Sequence, residues 1–507
     1  MILGEGNRTA GTAATLDDLF RRAGVSHPDA LALADPPNRA DFTDGAPRIL
    51  SFAQADRAIS AFAAKLRRLG LSTDTIVAIQ LPNTVESIVA FLGVLRAGMI
   101  AAPLPLLWRQ QEIVSALGRI GAKAIVTTSR IGTTTHAGIA MQAAAGLFPI
   151  RQVCGFGRDL PDGMVPLDDV FTTGPAEITP APARLGPAAA HIAAITFDLD
   201  LIPVARSHVE LVAGGLETFL EAGSETDAPT LSTIPIGSFA GISLTVLHWL
   251  LCGGSLHLHH GFDPDAFAAQ CRVSGSATVM LPAAMISAAA DAGLLDDAHQ
   301  TVVSLWRAPE RMISAREWNN PSAVVDVACF GEIGLLAARR GANHLPVPIP
   351  HGLADASRRV SGAPMVIETN RNVAGMLTLR GRMVPAHAFP PGAEHGHSLR
   401  LQPDSAGYID TGFPCRLDRE AHALHVTAPP GGMTVIGGYR FRQSDVDALV
   451  TQADPQATIV AVPDADLGQR LVGAATDRAA LRAELQARGV NPLLSGAFRA
   501  RGTAEAA

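Results

Sequence analysis

From Ser51 onward the apolar residues keep changing period, from a three-and-four spacing to short unbroken runs and back. Ile59, Phe62, Ala63, Leu66 and Leu69 fall on one face of a helix that Ser51 caps and Gly70 stops. Ile76–Leu81 is a short apolar strand ended by Pro82-Asn83, and Val85–Ala97 is a second helix ended by Gly98. Strand Met99–Leu104, helix Gln111–Ile120 and strand Lys123–Thr127 follow. Such alternation builds a largely parallel sheet covered by helices on both faces, so the predicted class is α/β. A Pro-, Gly- and Ala-rich connection at Thr173–Pro187 leads to a second series from about His191 to Ala337.

The rhythm changes after Ala374. Met376–Leu379, Leu399–Gln402 and Ala423–Val426 read as short strands joined by turns. Pro429-Pro430-Gly431-Gly432 is the strongest break in the second half of the chain. It divides the chain into a large N-terminal domain (1–428), a hinge (429–432) and a small C-terminal domain (433–507). The small domain is predicted to hold strand Met433–Ile436, helix Gln443–Thr451, strand Ala457–Val462 and helix Arg478–Arg488. A length of 507 residues agrees with one large and one small domain, since single cores stop growing well before that size.

Composition narrows the function class. Hydrophobic residues make up 48% and charged ones 17%, which suits a buried core and not a disordered chain. Net charge is −7 with no acidic or basic block, so no nucleic-acid or anionic-membrane partner is expected. The apolar stretches 88–108 and 242–258 are interrupted by Arg96, His248, glycines and prolines, and neither makes a membrane span. The N-terminus lacks a basic segment followed by an apolar one, so a cytoplasmic location is expected. Five scattered cysteines without a CxxC pair read as reduced thiols. Only Lys65 and Lys123 are lysines; the other 38 of the 40 basic residues are arginine.

Three segments resemble, in order and spacing, the adenylate-forming superfamily of acyl-CoA synthetases, luciferases and adenylation domains. They are Leu50–Leu104; Ile234–Ala289, with its Phe262-Asp263-Pro264 helix start; and Gly437–Val462, beginning GGYRFRQSDVDALV. The resemblance implies a large N-terminal domain of layered sheets and helices with a small α+β C-terminal cap. It also implies two half-reactions: a carboxylate attacks the α-phosphate of ATP, and then a thiol, usually of coenzyme A, displaces AMP. That chemistry needs cations and backbone N–H donors around a polyanion.

The residues at the corresponding places are mostly wrong for it. The phosphate loop of the family maps onto Ile195–His208, where Thr196, Pro203, Ser207 and His208 match. Asp198 and Leu201 replace glycines and Val204 replaces the lysine, while Asp200 adds a second carboxylate. A like-charge pair about 4 Å apart costs about 1 kcal/mol in water and about 4 at an effective dielectric of 20, so this loop is expected to repel ATP. Better preserved are the adenine and acyl pocket candidates Ser238, Phe239, Ala308, Pro309, Phe330, Gly331 and Glu332, although the threonine preceding the family's glutamate is missing. In the family an aromatic–Gly pair such as Phe330-Gly331 stacks on adenine, and simple packing is the other reading of Phe330. At the ribose end, Thr411-Gly412-Phe413 replaces Thr-Gly-Asp. The hinge motif falls on 428–432, where Pro429 replaces the ribose-binding arginine and Gly432 the hinge acid. The C-terminal domain resembles a truncated version of the family's cap, and no lysine follows Lys123.

No catalytic residue can be assigned from these positions. His257, His259 and His260 read as a solvated strand end and not as a metal site. Asp198-x-Asp200 could hold magnesium but reads better as solvated, and no Gly-x-Ser-x-Gly elbow occurs. The leading expectation is an acyl-CoA-synthetase-like pseudoenzyme that binds an acyl or aryl acid, a carrier protein or a paralogous synthetase, with no cofactor. The alternative is an active ligase or acyltransferase with a rebuilt site, which would use ATP, magnesium and coenzyme A. Prolines before and glycines after the domain boundary, with the family's terminal segment missing, predict a cap that no longer alternates between two positions.

Overall fold

The computed structural model describes residues 14–172, 185–295, 300–354, 366–385, 401–464 and 467–499. The expected alternation is present, and its caps are those the sequence supplies. Helix Phe52–Arg68 opens on a capping box in which Ser51 Oγ accepts from Gln54 N and Gln54 Oε1 from Ser51 N. Helix Val85–Arg96 is buried on every side, which explains why its sequence is apolar all round.

Two large sheets result, and the two helix–strand series exchange edges. A seven-stranded sheet takes strands Ile76–Ile79, Ile100–Pro103, Ala124–Thr128 and Gln152–Phe156 in parallel. It is completed on one edge by the antiparallel pair Ile192–Phe197 and Pro203–Ser207. An eight-stranded sheet is built from strands between Thr230 and Arg339 and ends on Leu31–Ala34 and Ile49–Ser51. A third, six-stranded antiparallel sheet contains Glu368–Arg371, Met376–Arg380, Ile409–Asp418 and Ala423–Val426. Of the strand expected at Leu399–Gln402, Leu401 and Gln402 are outside any strand, and the first two residues lie outside the described residues. Most of Thr173–Pro187 also lies outside them.

Residues after the Pro-Pro-Gly-Gly turn pack around a core of their own. Ile436, Val446, Val450, Leu485 and Phe498 belong to one buried cluster, separate from the clusters of the larger part. Two antiparallel pairs, Met433–Ile436 with Tyr439–Arg442 and Thr458–Asp464 with Gly468–Ala474, form its sheets.

Two helices that frame the later site approach unusually closely. Helix His208–Ala222 starts on a Ser207 capping box, and the helical stretch 239–252 starts on Ser238. A methyl group at Gly215 would sit 2.2 Å from Leu247 Cβ, and one at Gly214 would sit 2.5 Å from Phe239 Cζ. Glycine is therefore the contact and not a helix defect. In an open helix Gly→Ala gains about 1 kcal/mol. Here Gly215→Ala should cost about 1–3 kcal/mol, because the backbones must move apart. A lower urea midpoint is expected; a raised one would show that the helices have room.

Candidate functional site

A cavity of about 1200 Å³ lies where the ends of both large sheets meet the C-terminal part. Ile234–Ser238, Trp306–Ala308 and Gly331-Glu332 line it from one side, and Gly437–Arg442 from the other. The turn between the edge strands Ile192–Phe197 and Pro203–Ser207 brings Asp198, Leu199 and Leu201 to its wall. Leu201 adopts φ 57°, so this position keeps a backbone that glycine would take without strain.

The expected site residues do converge here, but their polar groups are spent on one another. Asp198 accepts from Glu332 N at 3.3 Å and lies 3.6 Å from the Arg440 guanidinium of the C-terminal part. Both groups cover Gly331, where a methyl group would meet Asp198 Oδ1 at 2.6 Å and Arg440 Nη1 at 2.8 Å. Glu332 Oε2 accepts from Phe239 N at 2.7 Å, and burial raises its pKa against the pull of Arg206. Ser238 caps residues 239–241 and accepts from Arg307 Nη2 at 2.9 Å. Ala308 and Pro309 begin a short helical turn, Pro309–Ser314.

Arg206 is the strongest feature that the sequence reading left without a role. It is 1% exposed and donates to the carbonyls of Ile333 at 3.1 Å, Met383 at 3.3 Å and Glu332. Its guanidinium lies 3.8 Å from the Phe239 ring centroid. Burial pushes its pKa down to about 10, while Glu332, Glu210 and Asp198 oppose the fall. The only signal in the sequence was a charge in an otherwise apolar edge strand, two residues past Val204.

Several expected positions are core. Val204 is 2% exposed and paired across the strand from Thr196, so no side chain from that position reaches the cavity. Phe330 is fully buried, meets Phe413 edge-on at 6.0 Å and is packed in the core. Phe413 is equally buried, and Arg440 lies 5.5 Å from its ring centroid. Thr411 Oγ donates to Leu377 O at 2.7 Å. His208 Nδ1 accepts from Leu16 N at 3.2 Å, a structural bond far in sequence. Pro429 and Gly432 flank a turn in which Met433 N donates to Pro430 O and Gln443 N to Gly432 O. The Asp200 side chain lies outside the described residues.

Two electrostatic expectations change. Asp198 does not face the cavity as a bare carboxylate, because Arg440 neutralises it from a segment about 240 residues away in sequence. The histidine cluster is not a solvated strand end. His257 and His259 are buried, bonded to Ser255 Oγ at 3.1 Å and Gln270 Oε1 at 2.7 Å, and His260 packs 4.9 Å from the Phe42 ring. Burial lowers all three pKa values, those of His257 and His260 to about 4. Among the described residues no group of His, Cys, Asp and Glu is placed to hold a metal, and no helix is long and apolar enough to cross a membrane.

Comparison with known proteins agrees with this geometry. The family model for AMP-binding enzymes matches residues 20–156. A beauvericin nonribosomal cyclodepsipeptide synthetase from Gibberella fujikuroi is 33% identical over 113 residues, which is 22% of this chain and only 3% of that protein. Among solved structures, a double mutant of o-succinylbenzoate CoA synthetase from Bacillus subtilis superposes with a TM-score of 0.69 at 14% identity, over 94% of this chain and 93% of that one. An artificially fused adenylation–PCP di-domain from Klebsiella oxytoca gives 0.66 at 16% identity, over 94% and 84%. These structures share the fold along nearly the whole chain.

The buried pair at the centre of the site gives a direct test. Arg206→Met should cost about 3–5 kcal/mol in a denaturant titration, because it leaves the Glu332 carboxylate buried without its cation. Adding Glu332→Gln to that variant should recover much of the loss. A double variant less stable than the single one would show that the two groups do not act as a pair.

Proposed function

We propose that this chain, whose residues 20–156 match the AMP-binding family model and whose fold is that of adenylate-forming enzymes, is a member of their superfamily that no longer forms adenylates and works by binding. The occupant of the cavity would be an acyl or aryl acid, and the partner a carrier protein or a paralogous ligase. The observation that carries this reading is the Asp198–Arg440 pair, seated over Gly331 at the turn that resembles the phosphate loop.

ATP, magnesium and coenzyme A were weighed against the residues present, and the nucleotide does not fit them. A triphosphate at this turn would have to displace Arg440 from Asp198 and then sit beside a carboxylate, with the apolar Val204 where a cation is needed. Phe413 offers a ribose no acceptor, being packed against Phe330. Glu332 is committed to Phe239 N and to Arg206, which leaves it poorly placed to hold magnesium. The cavity itself remains roomy and partly apolar, lined by Ile234, Ile236, Leu305 and Trp306, which suits an acyl or aryl body. A carrier-protein partner draws support from the nonribosomal synthetase relative and from the adenylation–PCP fusion.

Calorimetric titration with ATP·Mg should give no saturable heat, and pyrophosphate exchange with fatty, aryl and amino acids should stay at background. Val204→Lys alone should not rescue exchange, since its position is buried in a strand pair. Micromolar ATP binding would overturn the reading in favour of an active ligase with a rebuilt site. At a hundred times Kd such binding would add about 2.7 kcal/mol of stability, easily seen as a thermal shift.

A further inference from the structure

We propose that the segment Gly437–Arg442 is an inhibitory latch that holds the C-terminal part shut over the cavity. The latch rests on the reading above only in what it encloses, an acyl ligand.

Its geometry comes from two glycines. Gly437 and Gly438, at φ 54° and 91°, turn the chain tightly between strands Met433–Ile436 and Tyr439–Arg442. The two residues that follow the turn reach the ends of two neighbouring strands of the first large sheet. Tyr439 Oη accepts from Leu107 N at 3.3 Å, beyond the strand Ile100–Pro103. Arg440 reaches Asp198 at 3.6 Å, just beyond the adjacent strand Ile192–Phe197. Beneath them runs Arg307, whose Cδ would lie 2.2 Å from a methyl group at Gly438 and whose Nη2 bonds Ser238 Oγ. The turn is therefore fixed to the first large sheet through Tyr439 and Arg440 and rests on Arg307 at a strand end of the second. One more polar contact supports the same docking, between Asn491 and the side chain of Glu112.

The contacts are also reversible in kind. They include one ion pair between side chains 11% and 2% exposed, a hydrogen bond from Leu107 N to Tyr439 Oη, the Arg440 guanidinium near the Phe413 ring and the packing of Tyr439 against the apolar cluster of the first sheet. A ligand that competes for Asp198 or Arg440 would free the segment, because any ligand moves a domain by binding its two positions unequally. The anchoring residues thus gate the cavity as well as deny it to nucleotide.

Thermolysin cleavage between Pro430 and Ile436 in the full chain, without ligand, tests the latch. Asp198→Asn and Arg440→Gln should each speed cleavage about tenfold, with the double variant no faster than the faster single one, as expected for partners in one contact. Arg440→Lys, which keeps the charge, should stay near the unmodified rate and shows that the site tolerates substitution. Tyr439→Phe should speed hydrogen exchange at the Leu107 amide without touching the ion pair. Unchanged rates in both single variants, or effects that multiply in the double, would overturn the latch. ATP binding by the unmodified protein would instead sink the non-adenylating reading and leave the latch standing, so the two failures are distinguishable.

Discussion

A guanidinium buried where water cannot reach it sets the terms for everything around it. Arg206 leaves the last strand of the first large sheet and is held by three carbonyl oxygens, by the face of Phe239 and by the charge of Glu332. A cation that deep is tolerated only with a matching carboxylate, and the carboxylate in turn needs donors for its oxygens. Glu332 finds one in Phe239 N, and its own amide donates to Asp198. Asp198 then draws in Arg440 from the C-terminal part. Charge balance inside the protein thus extends stepwise from a strand core to the surface shared with the C-terminal part, through the turn that resembles the family's phosphate loop.

Much of the fold was legible because it depends on local patterns. Period changes located the helices and strands of both series, Ser51 marked a cap, and Pro429–Gly432 fell where the chain leaves the third sheet for a separate core. The exchange of edge strands between the two sheets was not legible. Leu31–Ala34 pairs with Leu256–Leu258, a contact more than 200 residues apart that no local pattern encodes.

The site divides the same way. Which family residues are missing could be read directly at Val204, Phe413 and Pro429. What replaced their interactions could not, because Arg440 meets Asp198 only through the tertiary fold. The sequence suggested an open loop with two carboxylates that repels ATP, whereas the structure shows Asp198 neutralised and already occupied. Under the proposed reading, nucleotide is kept out by prior occupancy and not by bare repulsion. At about 4 Å and an effective dielectric of 20, such a pair is worth about 4 kcal/mol before desolvation is charged against it. The histidines differ for a similar reason, since burial and neighbours such as Gln270 are absent from any reading of the strand alone.

The claim that Asp198 and Arg440 occupy the nucleotide's place is tested most directly by a crystal structure of the protein grown with excess ATP·Mg. The account predicts that Arg440 stays on Asp198 above Gly331 and that no phosphate lies along residues 197–203. Triphosphate bound at that turn, with Arg440 swung off Asp198 and onto the phosphates, would contradict it.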